Sequence, residues 1–229
     1  MTVQPIFDQV AAAMYLSEVH DLTDACLYQL KQLEKARRRW LKLKEIATLH
    51  TLHARAGMRD RKSQDGYHAA MRETGRVQSA LFDGVEAFLA AWARLSLIFR
   101  PGRSRSPLRA FTVHRGATMR SLFALEAGHP LLDRATRDNW MHADERLDHA
   151  WIENSLGNRQ AFVKTDRVKA KLRQTLRVID VEALTVYTRD EDGEVCVLAL
   201  RDLGIVLGEM EEREKTAYER MDELPLIGD

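Results

Sequence analysis

Up to about residue 177 the apolar residues of this 229-residue chain recur at three- and four-residue intervals; beyond it they alternate. That change of period constrains the fold more than any other feature. A 3.6-residue repeat buries one stripe of a helix, whereas a two-residue repeat buries one face of a strand. Residues 1–19 open with Pro5 at a helix start, and Asp21 or Thr23 caps the next helix. Over residues 24–48, Cys26, Leu30, Leu33, Trp40 and Leu43 mark one side of a long helix. Residues 54–76 are charged, contain three glycines and show little periodicity, so they read as a mobile connection with a helical turn at Tyr67–Met71. Residues 77–99 are apolar around most of the circumference and form the central core helix, stopped at Arg100-Pro101-Gly102.

Met119–Ala127 reads as a short helix closed by Gly128, and Pro130 stands in the first turn of a helix over 131–152. A basic helix follows at about 160–174. Leu184–Arg189 and Glu194–Ala199 then alternate around Asp192-Gly193, a two-residue hairpin turn. Leu203, Val206, Leu207, Met210, Ala217 and Met221 mark a closing helix, with a loose tail from about Glu223. The expected fold is mainly α: a helical bundle over residues 1–177, then residues 178–229 as a β-hairpin and closing helix packed on it.

Charge is distributed unevenly. Residues 1–177 carry 30 Lys/Arg against 19 Asp/Glu, and residues 178–229 carry 5 against 15. A basic body with an acidic tail suits a polyanion partner whose access the tail modulates; pairing of the two halves within the fold is the alternative. From Ala87 to Leu125 no acidic residue occurs, while seven arginines do. Arg100, Arg103, Arg105 and Arg109, around a Pro/Gly/Ser loop, are the candidate phosphate-binding residues; a solubilising loop is the competing reading.

The 131–152 helix has an apolar face of Leu132, Trp140, Ala143, Leu147 and Trp151. Its other face gathers Arg134, Asp138, His142, Glu145 and His149 beside Met141 and Ile152. Imidazole, carboxylate and guanidinium mixed with apolar groups mark a contact surface, with Met141, Glu145 and His149 at a dimer interface. Arg137-Asp138-x3-His142 resembles the Arg-polar-x3-His motif of HEPN (higher eukaryotes and prokaryotes nucleotide-binding) domains, and Asp144-Glu145-Arg146-x-Asp148 resembles the run that follows it. Arg61–His68 and Arg109–His114 also place Arg before His. The first contains Gly66, and the second contains β-branched Thr112 and Val113 just after a linker, so the helical context favours Arg137–His142.

The resemblance implies an α-helical, usually dimeric protein, in many members a metal-independent endoribonuclease of a toxin or defence system, here with RNA and a cognate antitoxin or defence protein as partners. In such a site His142 serves as acid and base, because its ordinary pKa lies near neutrality, and Arg137 clamps phosphate with its planar fork. Asp138, one turn from His142, orients the imidazole, although Asn is usual there and a carboxylate repels phosphate. A non-catalytic dimeric scaffold or a nucleic-acid-binding regulator is the alternative. No metal-ligand cluster or cofactor loop stands out. Cys26 and Cys196 read as reduced cysteines of a cytoplasmic protein. Neither a signal peptide nor a membrane-spanning run is expected.

Overall fold

The computed structural model describes residues 7–57, 61–102, 108–133, 160–163, 177–189 and 194–226. They form a mainly helical protein with a small sheet and a closing helix. Helix α1 runs unbroken over Gln9–Arg55. The sequence reading divided this stretch near Asp21 and Thr23, yet no Gly or Pro occurs between Pro5 and Gly57, and nothing there ends a helix. Asp8 starts it: its side-chain oxygen accepts from the amide of Ala11 at 2.8 Å, filling one of the vacant donors of the first turn. Ala12, Val19, Cys26, Leu33 and Trp40 are buried at intervals of seven residues, a spacing that returns a helix to nearly the same face.

Helix α2 spans Arg61–Phe99 and therefore includes most of the segment read as a mobile connection. Of the three glycines that suggested a break, Gly57 lies in the turn before α2, while Gly66 and Gly75 lie within it and each cost about 1 kcal/mol against Ala. Tertiary burial outweighs them, because Ala70, Thr74, Val77 and Leu81 continue the buried stripe of the core helix back toward its start. Helix α3 covers Arg109–Leu122 and a 3-10 turn covers Pro130–Leu132. Helix α4 covers Leu200–Met221, as its apolar spacing predicted.

The described strands form one sheet in the order β1 (Gln160–Val163), β2 (Arg177–Asp180), β3 (Thr185–Arg189) and β4 (Val195–Ala199). The β3–β4 antiparallel pair, Thr185 opposite Ala199 through Arg189 opposite Val195, supplies the two strands of the expected hairpin, whose Asp192-Gly193 turn lies outside the described residues. The first two strands were not expected. Gln160–Val163, assigned above to a basic helix, is a strand parallel to β2. All four residues of β2 are buried, and a strand covered on both faces has no two-residue alternation to read. Asp180 builds the β2–β3 turn by accepting from the amides of Glu182 and Ala183 at 2.9 and 3.1 Å.

The chain divides into two compact units. One contains residues 1–28, 88–138 and 201–229; the other contains 29–87 and 139–200. In the second, α1 and α2 run antiparallel, with successive contacts between Leu33 and Gly84, Arg39 and Glu73, and His50 and Gly66. A Cβ on Gly84 would lie 2.9 Å from Leu33 Cδ2, so glycine permits the close approach there. Arg37 of α1 grips the β2–β3 turn through the carbonyls of Val181 and Glu182 at 2.7–3.0 Å. Buried Arg177 of β2 donates to Glu86 of α2 at 2.9 Å.

In the first unit, the backbone amide of Gln9 donates to the Pro225 carbonyl and its side-chain amide to the carbonyls of Asp222 and Leu224. The segment expected to be a loose tail is therefore tied to the start of α1. The 3-10 turn also departs from expectation: Asp133 adopts an extended backbone, so no continuous helix starts at Leu131. Leu131 and Leu132 are both buried in this turn. No described helix is long and apolar enough to cross a membrane.

Candidate functional site

Arg137, Asp138, Met141, His142, Glu145 and His149 lie outside the described residues, as do Arg103 and Arg105. Of the four candidate phosphate-binding arginines, Arg100 and Arg109 are described. Arg109 is exposed and opens α3. Arg100 donates to the carbonyl of Leu132 at 2.8 Å. Three more arginines of the acid-free stretch are also engaged. Arg94 pairs with Glu18 at 2.7 Å. Arg115 donates to the Leu97 carbonyl at 3.0 Å, and Arg120 to the Phe99 carbonyl.

These bonds have a common cause. The last turn of a helix leaves four carbonyls without intrahelical donors, and the helix dipole makes that end negative. At the end of α2 the Arg100 amide takes the Ser96 carbonyl, while Arg115 and Arg120 take those of Leu97 and Phe99. The end of α3 is treated likewise, with Arg213 on Phe123 and Ala124 and Arg220 on Ser121 and Leu122. Arg100, Arg115 and Arg120 of the acid-free stretch thus close helix ends, a use that composition does not separate from phosphate binding.

Between α1, α2 and α3 of the first unit lies an open groove of about 610 Å³. Tyr15, Met14 and Glu18 contribute from α1, Arg94 from α2, and Phe111 and Arg115 from α3. Arg115 lies over the Tyr15 ring at 4.8 Å and donates to its hydroxyl at 3.1 Å, which fixes both side chains. Phe7 supports the aromatic walls, with its ring centre 5.9 Å from Tyr15 and 6.1 Å from Phe111. Exposed His114 sets its ring edge-on to Phe7 at 6.5 Å.

No protein-family model, curated protein or solved structure matches this chain. Aromatic walls accept a flat π-system, while both guanidinium groups at the groove are engaged, Arg94 with Glu18 and Arg115 with the Leu97 carbonyl and the Tyr15 hydroxyl. A nucleobase has the flat π-face that such walls accept. Arg109 and His114 flank Phe111 on the same helix, so the pair set aside for its β-branched residues is fully helical. Arg61 and His68 likewise fall within α2.

Sequence reading missed Tyr15 and Phe111, which join the arginines only through packing of separate helices. The spacing within α3, Phe111 to Arg115, was the one local signal. Among the described residues no group of three His, Cys, Asp or Glu side chains forms a metal site.

Proposed function

We propose that this chain is an RNA-binding protein of HEPN type, acting as a homodimeric, metal-independent endoribonuclease of a toxin or defence system. The observation that carries RNA binding is the groove in which Arg115, stacked on Tyr15, stands beside Phe111. An unpaired base enters such a groove by stacking, at about 1–3 kcal/mol per base, while Arg109 and the neighbouring arginines of the loop hold phosphates. Arg137-Asp138-x3-His142 supports the cleavage reading through its resemblance to the family motif.

In that chemistry His142 of one copy takes the proton from a ribose 2′-hydroxyl. The 2′-oxygen bonds to the adjacent phosphorus, and the bond from phosphorus to the 5′-oxygen breaks. An imidazolium supplied by the second copy returns a proton to that 5′-oxygen, leaving a 2′,3′-cyclic phosphate and a 5′-hydroxyl. Arg137 steadies the charge that develops on the phosphate.

A second reading, a non-catalytic scaffold, is favoured by one observation: the described arginines of the acid-free stretch are largely occupied by carbonyls and Glu18. Salt-titrated binding of single-stranded RNA separates the two. The proposed function predicts measurable binding that weakens with salt, with a slope smaller by roughly 0.7 for each phosphate contact removed in Arg103→Ala, Arg105→Ala and Arg109→Ala. Absence of binding by the parent chain rejects it in favour of the scaffold.

A further inference from the structure

We infer that Glu18, at the rim of the groove between α1, α2 and α3, selects an unpaired guanine from single-stranded RNA. The inference rests on the RNA-binding reading of that groove and names the base it takes. Met14, Leu97, Ile98 and Phe111 make much of the lining apolar, and Arg115 and Tyr15 are bonded to each other. The other charged side chains at the groove are Glu18 and Arg94. Glu18 follows Tyr15 by three residues on α1, so the carboxylate and the ring share one face of that helix. A carboxylate opposes phosphate, so its place beside the aromatic walls suits a base edge instead. Glu18 Oε1 holds Arg94 Nη2 at 2.7 Å, and among the described residues Arg94 is its one partner. That bond orients the carboxylate and leaves Oε2 to accept from a ligand.

An ionised carboxylate accepts hydrogen bonds and donates none, so it pairs best with an edge that sets two donors side by side. Guanine does this with its N1–H and its 2-amino group. Its O6, next to them, accepts from a guanidinium, and Arg94 keeps N–H donors beyond the one on Glu18. Adenine and cytosine each put one amino group beside a bare ring nitrogen, and uracil puts its N3–H between two carbonyl oxygens. The lone pairs of those neighbours face the carboxylate and repel it. Unpaired bases stacked on aromatic side chains are read on these same edges.

Fluorescence anisotropy of the full chain with labelled oligouridine strands, plain or carrying one central guanosine, adenosine or inosine, tests this. The parent should bind the guanosine strand at least about fivefold tighter than the adenosine strand, the low end of what a bidentate base contact contributes. Inosine lacks the 2-amino group, so its strand should bind more weakly than the guanosine strand. Glu18→Gln sets an amide donor against one of guanine's donors and should remove the preference, while binding plain oligouridine at least as tightly as the parent. Circular dichroism verifies that the variant is folded. RNA bound without preference for guanosine, or a preference that Glu18→Gln leaves unchanged, overturns the inference and leaves the RNA-binding reading standing. No binding of any strand overturns both. Displacement of the guanosine strand by guanosine 5′-monophosphate as readily as by the unlabelled strand assigns the guanine to a free nucleotide and overturns RNA as its source.

Discussion

Replacing Gly116 by alanine reverses the usual effect of that change in a helix. Alanine ordinarily stabilises a helix interior by about 1 kcal/mol relative to glycine. At Gly116, buried in α3, an added Cβ would stand 2.6 Å from Pro101 Cδ and 3.0 Å from the Phe99 carbonyl oxygen. Both are backbone or ring atoms without a rotamer to yield, so relief requires α3 to move away from the end of α2. Overpacking of this kind costs about 1–3 kcal/mol, and each bond from Arg115 or Arg120 to an α2 carbonyl loosened by the shift adds about 1.5–3 kcal/mol. The net expectation is a loss of about 1–2 kcal/mol, or roughly 2–8 °C in Tm for a chain of this size. Gly75 in α2 is the control: it has open space around the position of its Cβ, so Gly75→Ala should gain about 1 kcal/mol. Thermal and urea unfolding followed by helical circular dichroism compares the three proteins. A Gly116→Ala protein as stable as the parent, with Gly75→Ala behaving as expected, refutes the close-approach argument.

The end of α3 supplies a second prediction. Ala124 has a left-handed backbone, φ 49°, in a Schellman arrangement in which the amide of Leu125 reaches Arg120 and that of Ala124 reaches Ser121. Ala124→Gly should stabilise by about 0.5–1 kcal/mol, the relief of about 1–2 kcal/mol less the added freedom of the unfolded chain; a lower urea midpoint contradicts it. His129 supplies a pH prediction. Its Nδ1 accepts from the Leu131 amide, and burial first, then Arg213, hold its pKa below the ordinary value of 6.5. The folded state therefore prefers the neutral ring, and this contribution to stability is lost as pH falls below 6.5 toward the folded-state pKa. His129→Asn keeps a capping acceptor that does not titrate, so its stability should fall less between pH 7 and 5; an unchanged pH slope removes His129 as the cause. Exposed His20 acts in the opposite sense: hydrogen bonding to Glu214 raises its pKa, so its contribution is present at low pH and lost as pH rises through the raised value.

Where burial has one side, the sequence was legible. The β3–β4 hairpin and α4 fall where alternation and helical spacing placed them. It was less legible where tertiary contacts override local preference. The glycines at 66 and 75 suggested a break, but small residues such as Ala70 and Thr74 carried the buried stripe without a strong apolar signal. The fully buried β2 offered no alternation, and Pro225 gave no hint that its carbonyl would close the first turn of α1. The arginines taught a different lesson: composition counted seven without acids, and the fold assigns Arg100, Arg115 and Arg120 to carbonyls. Tyr15 and Phe111 lie almost a hundred residues apart, so their groove exists only after packing.

The most direct test of the proposed function is cleavage of a labelled single-stranded RNA in EDTA by the parent chain, His142→Ala and His114→Ala. The account predicts cleavage by the parent that leaves cyclic phosphate ends. It predicts a loss of about 10²–10⁴ in rate for His142→Ala, since that is what removal of an acid and base costs, and near-parental cleavage for His114→Ala. Parental cleavage by His142→Ala, or intact RNA with the parent chain, contradicts it.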